Sequence, residues 1–227
     1  MKNILKYDLF IFDFDGTIFD TEPIHYKCWK ECLSKYINTD DININTYFKY
    51  YHTLDKYNFK KYLKDNYKKN YEKYDEIYKN KCDLYIEKIK VITVNLINKI
   101  DLFINYLKNN NKKVVLVTNA SINFIKIYQE KYEIMKKFDE IYTKENFTKK
   151  KPNPECYINI AKKYPNLKKI CFEDSLTGFH SLSQVNDIDK IFINTEKYYY
   201  YNHIIHNYNN FRKIEDYDIE NLNKVLN

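Results

Sequence analysis

Both glycines of this 227-residue chain lie inside acidic motifs, and the side chains around them suit metal chemistry. One motif is DFDGT at residues 13–17, and the other is EDSLTG at residues 173–178. Each follows a short apolar run typical of a buried strand, residues 9–12 in the first case and 170–172 in the second. Because strand ends at one edge of an α/β sheet converge on the ligand crevice, we expect the two groups of carboxylates to lie close together.

Carboxylates gathered in this way favour a bound cation. Paired carboxylates on neighbouring strand ends repel one another unless a cation or a raised pKa relieves them. Mg²⁺ takes oxygen ligands and leaves room for water and a phosphate group, so it is the expected occupant. A calcium-binding EF-hand loop is the nearest alternative around Asp13, but Ile11 would fall at its first ligand position and cannot coordinate.

The patterns around these motifs predict an α/β fold. Residues 7–13 predict a first strand, and residues from 19 to about 96 carry helical patterns without strand-like runs. Strands alternating with helices indicate a doubly wound, mostly parallel sheet with a Rossmann-like core. We expect residues 1–18 and 97–227 to form this core and residues 19–96 to form an inserted helical cap. After the insertion, strands are predicted at 114–117, 140–142, 170–172 and 191–193, and helices at 100–107, 122–132, 154–163, 176–185 and 211–226.

The composition narrows the classes of partner. The net charge is +7, yet lysines and acids alternate without a long basic block, so nucleic acid is not the expected partner. A mildly positive surface favours small anionic substrates. The five cysteines form no disulfide-like framework, and no apolar run is long enough to span a bilayer, so we expect a cytoplasmic monomer without a membrane partner. The tyrosines at 198–201 are interpreted as a loop of biased composition, with a stacking platform for bases as the alternative.

Four motifs in order resemble those of the haloacid dehalogenase-like hydrolases. DFDGT at 13–17 resembles their first motif, VTNA at 117–120 the second, KPNP at 151–154 the third and FEDSLTG at 172–178 the fourth. DTEPIH at 20–25 is also similar to the start of the helical cap in the β-phosphoglucomutase and phosphoglycolate phosphatase branch. Because four motifs occur in the family's order, the resemblance is more specific than any one of them.

The resemblance implies a nucleophile, an acid–base residue and a metal site. Asp13 would attack the phosphorus of a phosphate ester and form an aspartyl-phosphate. Asp15 would protonate the leaving oxygen and then take a proton from the hydrolytic water. Mg²⁺ would bind the carboxylates of Asp13 and Asp174 and the backbone carbonyl of Asp15, and Glu173 would assist directly or through water.

The resemblance also implies how the phosphoryl group is held. The Thr118 hydroxyl would donate a hydrogen bond to a phosphoryl oxygen, with help from the backbone N–H of Asn119. Lys151 would neutralise both the phosphate group and Asp13. His25 would lie near the hinge of the cap and help to position Asp15 and the substrate, and packing on a cap helix is the alternative for this side chain.

These expectations combine into a magnesium-dependent phosphatase that cleaves phosphate monoesters of small metabolites. A β-phosphoglucomutase-like phosphotransferase is the alternative enzyme, and a catalytically silent binding protein of the same fold is the alternative from another class. The mutase branch normally has a glycine-containing specificity loop with an arginine nearby. Residues 20–96 contain no glycine, and no arginine precedes Arg212, which argues against a mutase.

Overall fold

The computed structural model describes residues 4–40, 42–47, 56–67, 71–193 and 211–226. The tyrosine run at 198–201 lies outside these residues. The chain divides into two compact units: Met1–Asp20 together with Asn95–Asn227 form the core unit, and Thr21–Val94 form the helical unit.

The core unit contains a parallel sheet built from the apolar runs of the sequence. Its six described strands are β1 (Leu9–Phe12), β2 (Lys113–Val117), β3 (Glu140–Tyr142), β4 (Lys169–Glu173), β5 (Asp189–Ile193) and β6 (Arg212–Ile214). They pair in the order β3-β2-β1-β4-β5-β6, and every pair is parallel. The central strand β1 lies between β2 and β4, with Phe12 level with Leu116 on one side and Phe172 on the other.

Helices follow most of the strands, which confirms the expected α/β class. The helical unit has α1 (Glu22–Leu33), α2 (Ile44–Tyr47), α3 (Lys56–Tyr67) and α4 (Tyr74–Val91), and the core unit has α5 (Ile100–Asn109), α6 (Ile122–Lys131), α7 (Glu155–Lys163), α8 (Leu176–Ser183) and α9 (Ile219–Val225). Short 3₁₀ helices occupy Ile4–Lys6, Tyr71–Lys73, Glu133–Lys137 and Lys144–Asn146. Among the described helices, none combines the length and the apolar character needed to cross a bilayer.

The closing helix predicted over residues 211–226 is wrong in its first part. Arg212–Ile214 forms β6 beside β5, and the helix spans only Ile219–Val225. The hydrogen bonds that define β6 come from β5, which is distant in sequence, so three residues give no local signal of a strand. Asp218 begins the helix, because its side chain accepts a hydrogen bond from the backbone N–H of Asn221 at 3.0 Å.

Side chains that alternate along β1 pack on opposite faces of the sheet. Phe10 and Phe12 face α5, where both rings make edge contacts with Phe103. Leu9 and Ile11 belong instead to the buried cluster that includes residues of α7. Both faces of β1 are therefore covered, as a doubly wound fold requires.

Phe103 provides a test of this packing. Its buried ring contacts Phe10, Phe12, Phe172 and Tyr217, so Phe103→Ala leaves a cavity between α5 and the sheet. We expect the free energy of unfolding in urea to fall by about 3–5 kcal/mol.

The matched control is the neighbouring substitution Leu102→Ala, since the Leu102 side chain is 60% exposed. It should change the free energy of unfolding by less than about 0.5 kcal/mol. Equal decreases in the free energy of unfolding in the two variants would contradict the packing of Phe103 between α5 and the sheet.

Candidate active site

Three carboxylates meet at the carboxyl ends of β1 and β4. Asp13 follows β1, and its backbone N–H donates to the carbonyl oxygen of Phe172 at 3.0 Å. Glu173 ends β4 and Asp174 follows it. One carboxylate oxygen from each of Asp13, Glu173 and Asp174 lies within 4.8 Å of the others. Asp13 and Glu173 are buried, whereas Asp174 is half-buried and is the most exposed of the three.

The two glycines provide the space that two of these carboxylates occupy. A Cβ on Gly16 would lie 1.9 Å from Asp174 Oδ2, and Gly16 also has a φ of +69°, a backbone conformation that L side chains rarely adopt. A Cβ on Gly178, in the first turn of α8, would lie 2.0 Å from Glu173 Oε2. Any larger residue at either position would push a carboxylate out of place.

The loop after β1 holds Asp15 and Thr17 beside the same cluster. The Gly16 N–H donates to the carbonyl oxygen of Phe19 at 2.8 Å and closes the loop. Thr17 Oγ1 donates to Asp174 Oδ1 at 3.2 Å, and the Tyr217 hydroxyl donates to the Thr17 carbonyl oxygen at 3.1 Å. The C-terminal segment therefore fixes the loop that orients Asp174.

Lys151 joins the two buried carboxylates. Its Nζ donates to Asp13 Oδ1 at 2.7 Å, to Glu173 Oε1 at 2.6 Å and to the Val117 carbonyl oxygen at 2.8 Å. An ammonium group has three protons, so these three acceptors use all of them. The side chain is only 4% exposed, and a phosphoryl group could receive a bond from Nζ only if one of these contacts opened.

The electrostatics of Asp13 and Lys151 are coupled. Burial raises the pKa of Asp13 well above its usual range, and Lys151 opposes this shift while Glu173 adds to it. Burial alone would lower the pKa of Lys151, but the charges of Asp13 and Glu173 raise it above its ordinary value. Lys151 is therefore charged, and Asp13 depends on nearby positive charge to remain ionised.

Asn119 positions the loop that carries Lys151. Its side-chain amide donates to the Lys151 carbonyl oxygen and accepts from the Lys151 N–H, both at 3.1 Å, and the Lys151–Pro152 peptide bond is cis. Thr118 is buried at the end of β2, and its Oγ1 accepts a hydrogen bond from the Ala120 N–H at 2.9 Å. The second and third motifs of the sequence are thus bonded directly to each other.

His25 lies on α1 in the helical unit. Its Nδ1 is 2.8 Å from Nζ of the buried Lys81, and because an ammonium group can only donate, Nδ1 accepts this hydrogen bond and the ring N–H is on Nε2. The ring also stacks on Tyr85, with centroids 4.1 Å apart. Within the helical unit, His25 is therefore part of a packed polar contact between α1 and α4.

Sequence reasoning missed three residues that contact the site. Tyr157 donates its hydroxyl hydrogen to Glu173 Oε1, Thr17 donates to Asp174, and Tyr217 donates to the Thr17 carbonyl. Tyr157 is a buried residue of α7 and one of 25 tyrosines, so its sequence position carries no signal of a role in the site. Thr17 was visible in the first motif, but its contact with Asp174 depends on two distant strand ends meeting.

The residues present fit a hard divalent cation. The three candidate side-chain ligands are all carboxylates, and the two buried ones, Asp13 and Glu173, share the ammonium group of Lys151. Among the described residues, buried Glu173 Oε2 has no hydrogen-bond partner. An unpaired anionic oxygen in a buried site is costly unless a cation or a cation-bound water contacts it. Asp13, Asp174 and Glu173 could therefore hold Mg²⁺.

Gly178→Ala tests this arrangement. Alanine normally stabilises a helix by about 0.5–1 kcal/mol relative to glycine, but here its Cβ would displace the Glu173 carboxylate. We expect Mg²⁺ binding, measured by calorimetry, to weaken by about tenfold or more. Ser183→Ala on the same helix should leave Mg²⁺ binding unchanged, because the Ser183 hydroxyl donates to the carbonyl oxygen of His180 and not to a carboxylate of the cluster. A Gly178 variant with higher stability and unaltered Mg²⁺ binding would contradict the assignment.

Comparisons with known proteins agree with this fold and these motifs. Over 172 residues the chain is 24% identical to YhcW of Bacillus subtilis (strain 168), a candidate phosphatase, covering 74% of this chain and 75% of that protein. The fold of this chain is similar to that of a HAD hydrolase of family IA, variant 3, from Entamoeba histolytica HM-1:IMSS. The TM-score is 0.75 at 21% identity, and the match covers 96% of this chain and 99% of the other. The fold is also similar to that of β-phosphoglucomutase from Clostridium difficile (TM-score 0.70, 22% identity, 97% of both chains covered). A family model for haloacid dehalogenase-like hydrolases matches residues 7–185, and the chain therefore belongs to that family.

Proposed function

We propose that this protein is a magnesium-dependent phosphatase that hydrolyses phosphate monoesters of small metabolites through an aspartyl-phosphate on Asp13. The observation that carries the proposal is the buried Asp13 carboxylate, bonded to Lys151 and within 4.8 Å of the ligand oxygens of Glu173 and Asp174. Membership of a hydrolase family and similarity to a candidate phosphatase support it.

In the first step, a carboxylate oxygen of Asp13 forms a bond to phosphorus while the bond from phosphorus to the ester oxygen breaks. Asp15, two residues away on the loop after β1, gives its proton to the departing oxygen. In the second step, Asp15 takes a proton from water, the water oxygen bonds to phosphorus, and the bond to Asp13 breaks. Free phosphate leaves, and both carboxyl groups return to their starting states.

Charge is the main obstacle to the first step. Two unit negative charges about 4 Å apart repel by about 4 kcal/mol at an effective dielectric near 20. The carboxylates of Asp13 and Asp174 and the backbone carbonyl of Asp15 would hold Mg²⁺, and Glu173 would assist directly or through water. The positive charge of the bound ion would offset this repulsion. Lys151 supplies further positive charge next to Asp13. Before Lys151 could also contact the phosphoryl group, one of its three hydrogen bonds would have to break.

The residues that follow β2 are assigned as hydrogen-bond donors to the phosphoryl oxygens. Thr118 Oγ1 accepts from the Ala120 N–H, and a hydroxyl that accepts one bond can still donate its own proton. We assign that proton to a phosphoryl oxygen and give the Asn119 backbone N–H the same role. The Asn119 side chain instead holds the Lys151 loop, which keeps the two phosphate-binding groups in register.

The helical unit is assigned the role of a cap that excludes water and selects the leaving group. His25 is its candidate substrate-contacting residue, and its bond to Lys81 would fix the tautomer that it presents. The net charge of +7 favours a small phosphorylated metabolite as substrate. We further propose that the protein acts as a cytoplasmic monomer without nucleic-acid or membrane partners.

Asp13→Asn tests the nucleophile. Amides do not attack phosphorus as carboxylates do, so Mg²⁺-dependent phosphate release should fall by at least about 10³-fold. Release would be measured on phosphoglycolate, hexose and pentose phosphates, nucleotides and an aryl phosphate. Asp101→Asn, on α5, is the control and should behave as wild type.

Each outcome of this assay has a distinct meaning. No release from any phosphate by folded, Mg²⁺-bound wild type would exclude the general phosphatase. If phosphate instead moves from one sugar to another, the protein is a phosphotransferase like the β-phosphoglucomutases.

Asp15→Asn separates the two chemical steps. An aryl phosphate has a good leaving group that needs little protonation, so the first step should be largely preserved while water attack slows by about 10²–10⁴-fold. Rapid-quench kinetics should then show a burst of about one equivalent of aryl alcohol per enzyme. Turnover at the wild-type rate, without a burst, would show that Asp15 is not the general base.

A further inference from the structure

Tyr157 lies behind the buried carboxylate cluster, on α7. Its side chain is fully buried, its hydroxyl donates to Glu173 Oε1, and its ring centroid is 4.9 Å from Lys151 Nζ. The same ring belongs to the apolar cluster that includes Leu9 and Ile11 of β1. Tyr157 therefore connects the hydrophobic core to both Glu173 and Lys151.

The two oxygens of Glu173 have different surroundings. Oε1 accepts hydrogen bonds from Tyr157 and from Lys151 Nζ, the latter at 2.6 Å. Oε2 is buried beside Gly178 and has no hydrogen-bond partner among the residues that the structure describes. Protein donors thus converge on one oxygen and leave the other for a cation or a cation-bound water.

A tyrosine suits this position better than a second cation would. A phenol hydroxyl is a neutral hydrogen-bond donor, and that of Tyr157 donates to Glu173 Oε1. It orients Glu173 without cancelling the negative charge that a cation needs. Packing of its ring in the core leaves the hydroxyl little freedom to move.

We propose that Tyr157 is a positioning residue for the metal site, which holds Glu173 so that Oε2 is presented to a divalent cation. The proposal rests on the magnesium site of the proposed function. Partners that orient metal ligands typically change metal affinity by about 10- to 100-fold when they are removed. Because Lys151 still binds Oε1 when the hydroxyl is lost, we expect a change near the lower limit.

Tyr157→Phe removes the hydroxyl and keeps the ring. Calorimetric titration of the full chain with Mg²⁺, without substrate, should give a Kd about tenfold above that of wild type. With an aryl phosphate, the Mg²⁺ concentration for half-maximal rate should rise by a similar factor. Saturating Mg²⁺ should restore kcat, and the KM for the aryl phosphate should be unchanged.

Tyr7→Phe is the matched control. Tyr7 is also fully buried, and its hydroxyl donates to the carboxylate of Asp189. Asp189 is the first residue of β5, so this contact lies at the amino ends of the strands, away from the carboxylate cluster. The Tyr7→Phe variant loses the same type of hydrogen bond, so its melting temperature measures the purely structural effect, and its Mg²⁺ Kd should equal that of wild type.

The calorimetric result separates this proposal from the phosphatase assignment. An unchanged Mg²⁺ Kd in Tyr157→Phe, with only a lower melting temperature, would overturn the role of Tyr157 even if wild type releases phosphate. A raised Kd in a protein that releases no phosphate would support Tyr157 and exclude the phosphatase. Wild type that binds no Mg²⁺ would overturn both.

Discussion

The site depends on the buried pairing of the Lys151 ammonium group with the carboxylates of Asp13 and Glu173. Desolvating these ions costs several kcal/mol each, and only close pairing with every proton engaged offsets that cost. The Val117 carbonyl accepts the third proton, so the end of β2 also takes part. Removing Lys151 would leave Asp13 and Glu173 without the ammonium group that they share, and removing either carboxylate would leave that ammonium with one anionic partner fewer. The cluster therefore ties β1, β2, β4 and the Lys151 loop to one geometry.

The same constraint explains where glycine occurs. Carboxylates can crowd at the end of β1 and β4 only if the neighbouring turns have no side chains in the way. Gly16 leaves room for Asp174, and Gly178 leaves room for Glu173. In a chain with glycine at no other position, these two residues indicate that steric space beside the acids is required.

Much of this arrangement could be predicted from the sequence because its signals are local. Apolar runs ending in Asp13 and in Glu173 predict two strand ends, and parallel pairing brings such ends together. The contact of Tyr157 with Glu173 depends on how α7 packs against the sheet, and its sequence position resembles any apolar helix face. Strand β6 likewise depends on a partner distant in sequence. Substrate choice has no such motif, because residues 20–96 resemble the family only at their beginning.

Chemical trapping of the enzyme during turnover measures the role of Asp13 most directly. The full chain would react with an aryl phosphate and Mg²⁺, be quenched in acid and be reduced with borohydride, which converts an aspartyl-phosphate into homoserine. Peptide mass spectrometry should then find homoserine at the position of Asp13 and not at that of Asp15. Steady phosphate release with Asp13 unmodified at every quench time would contradict covalent catalysis and indicate direct attack by water.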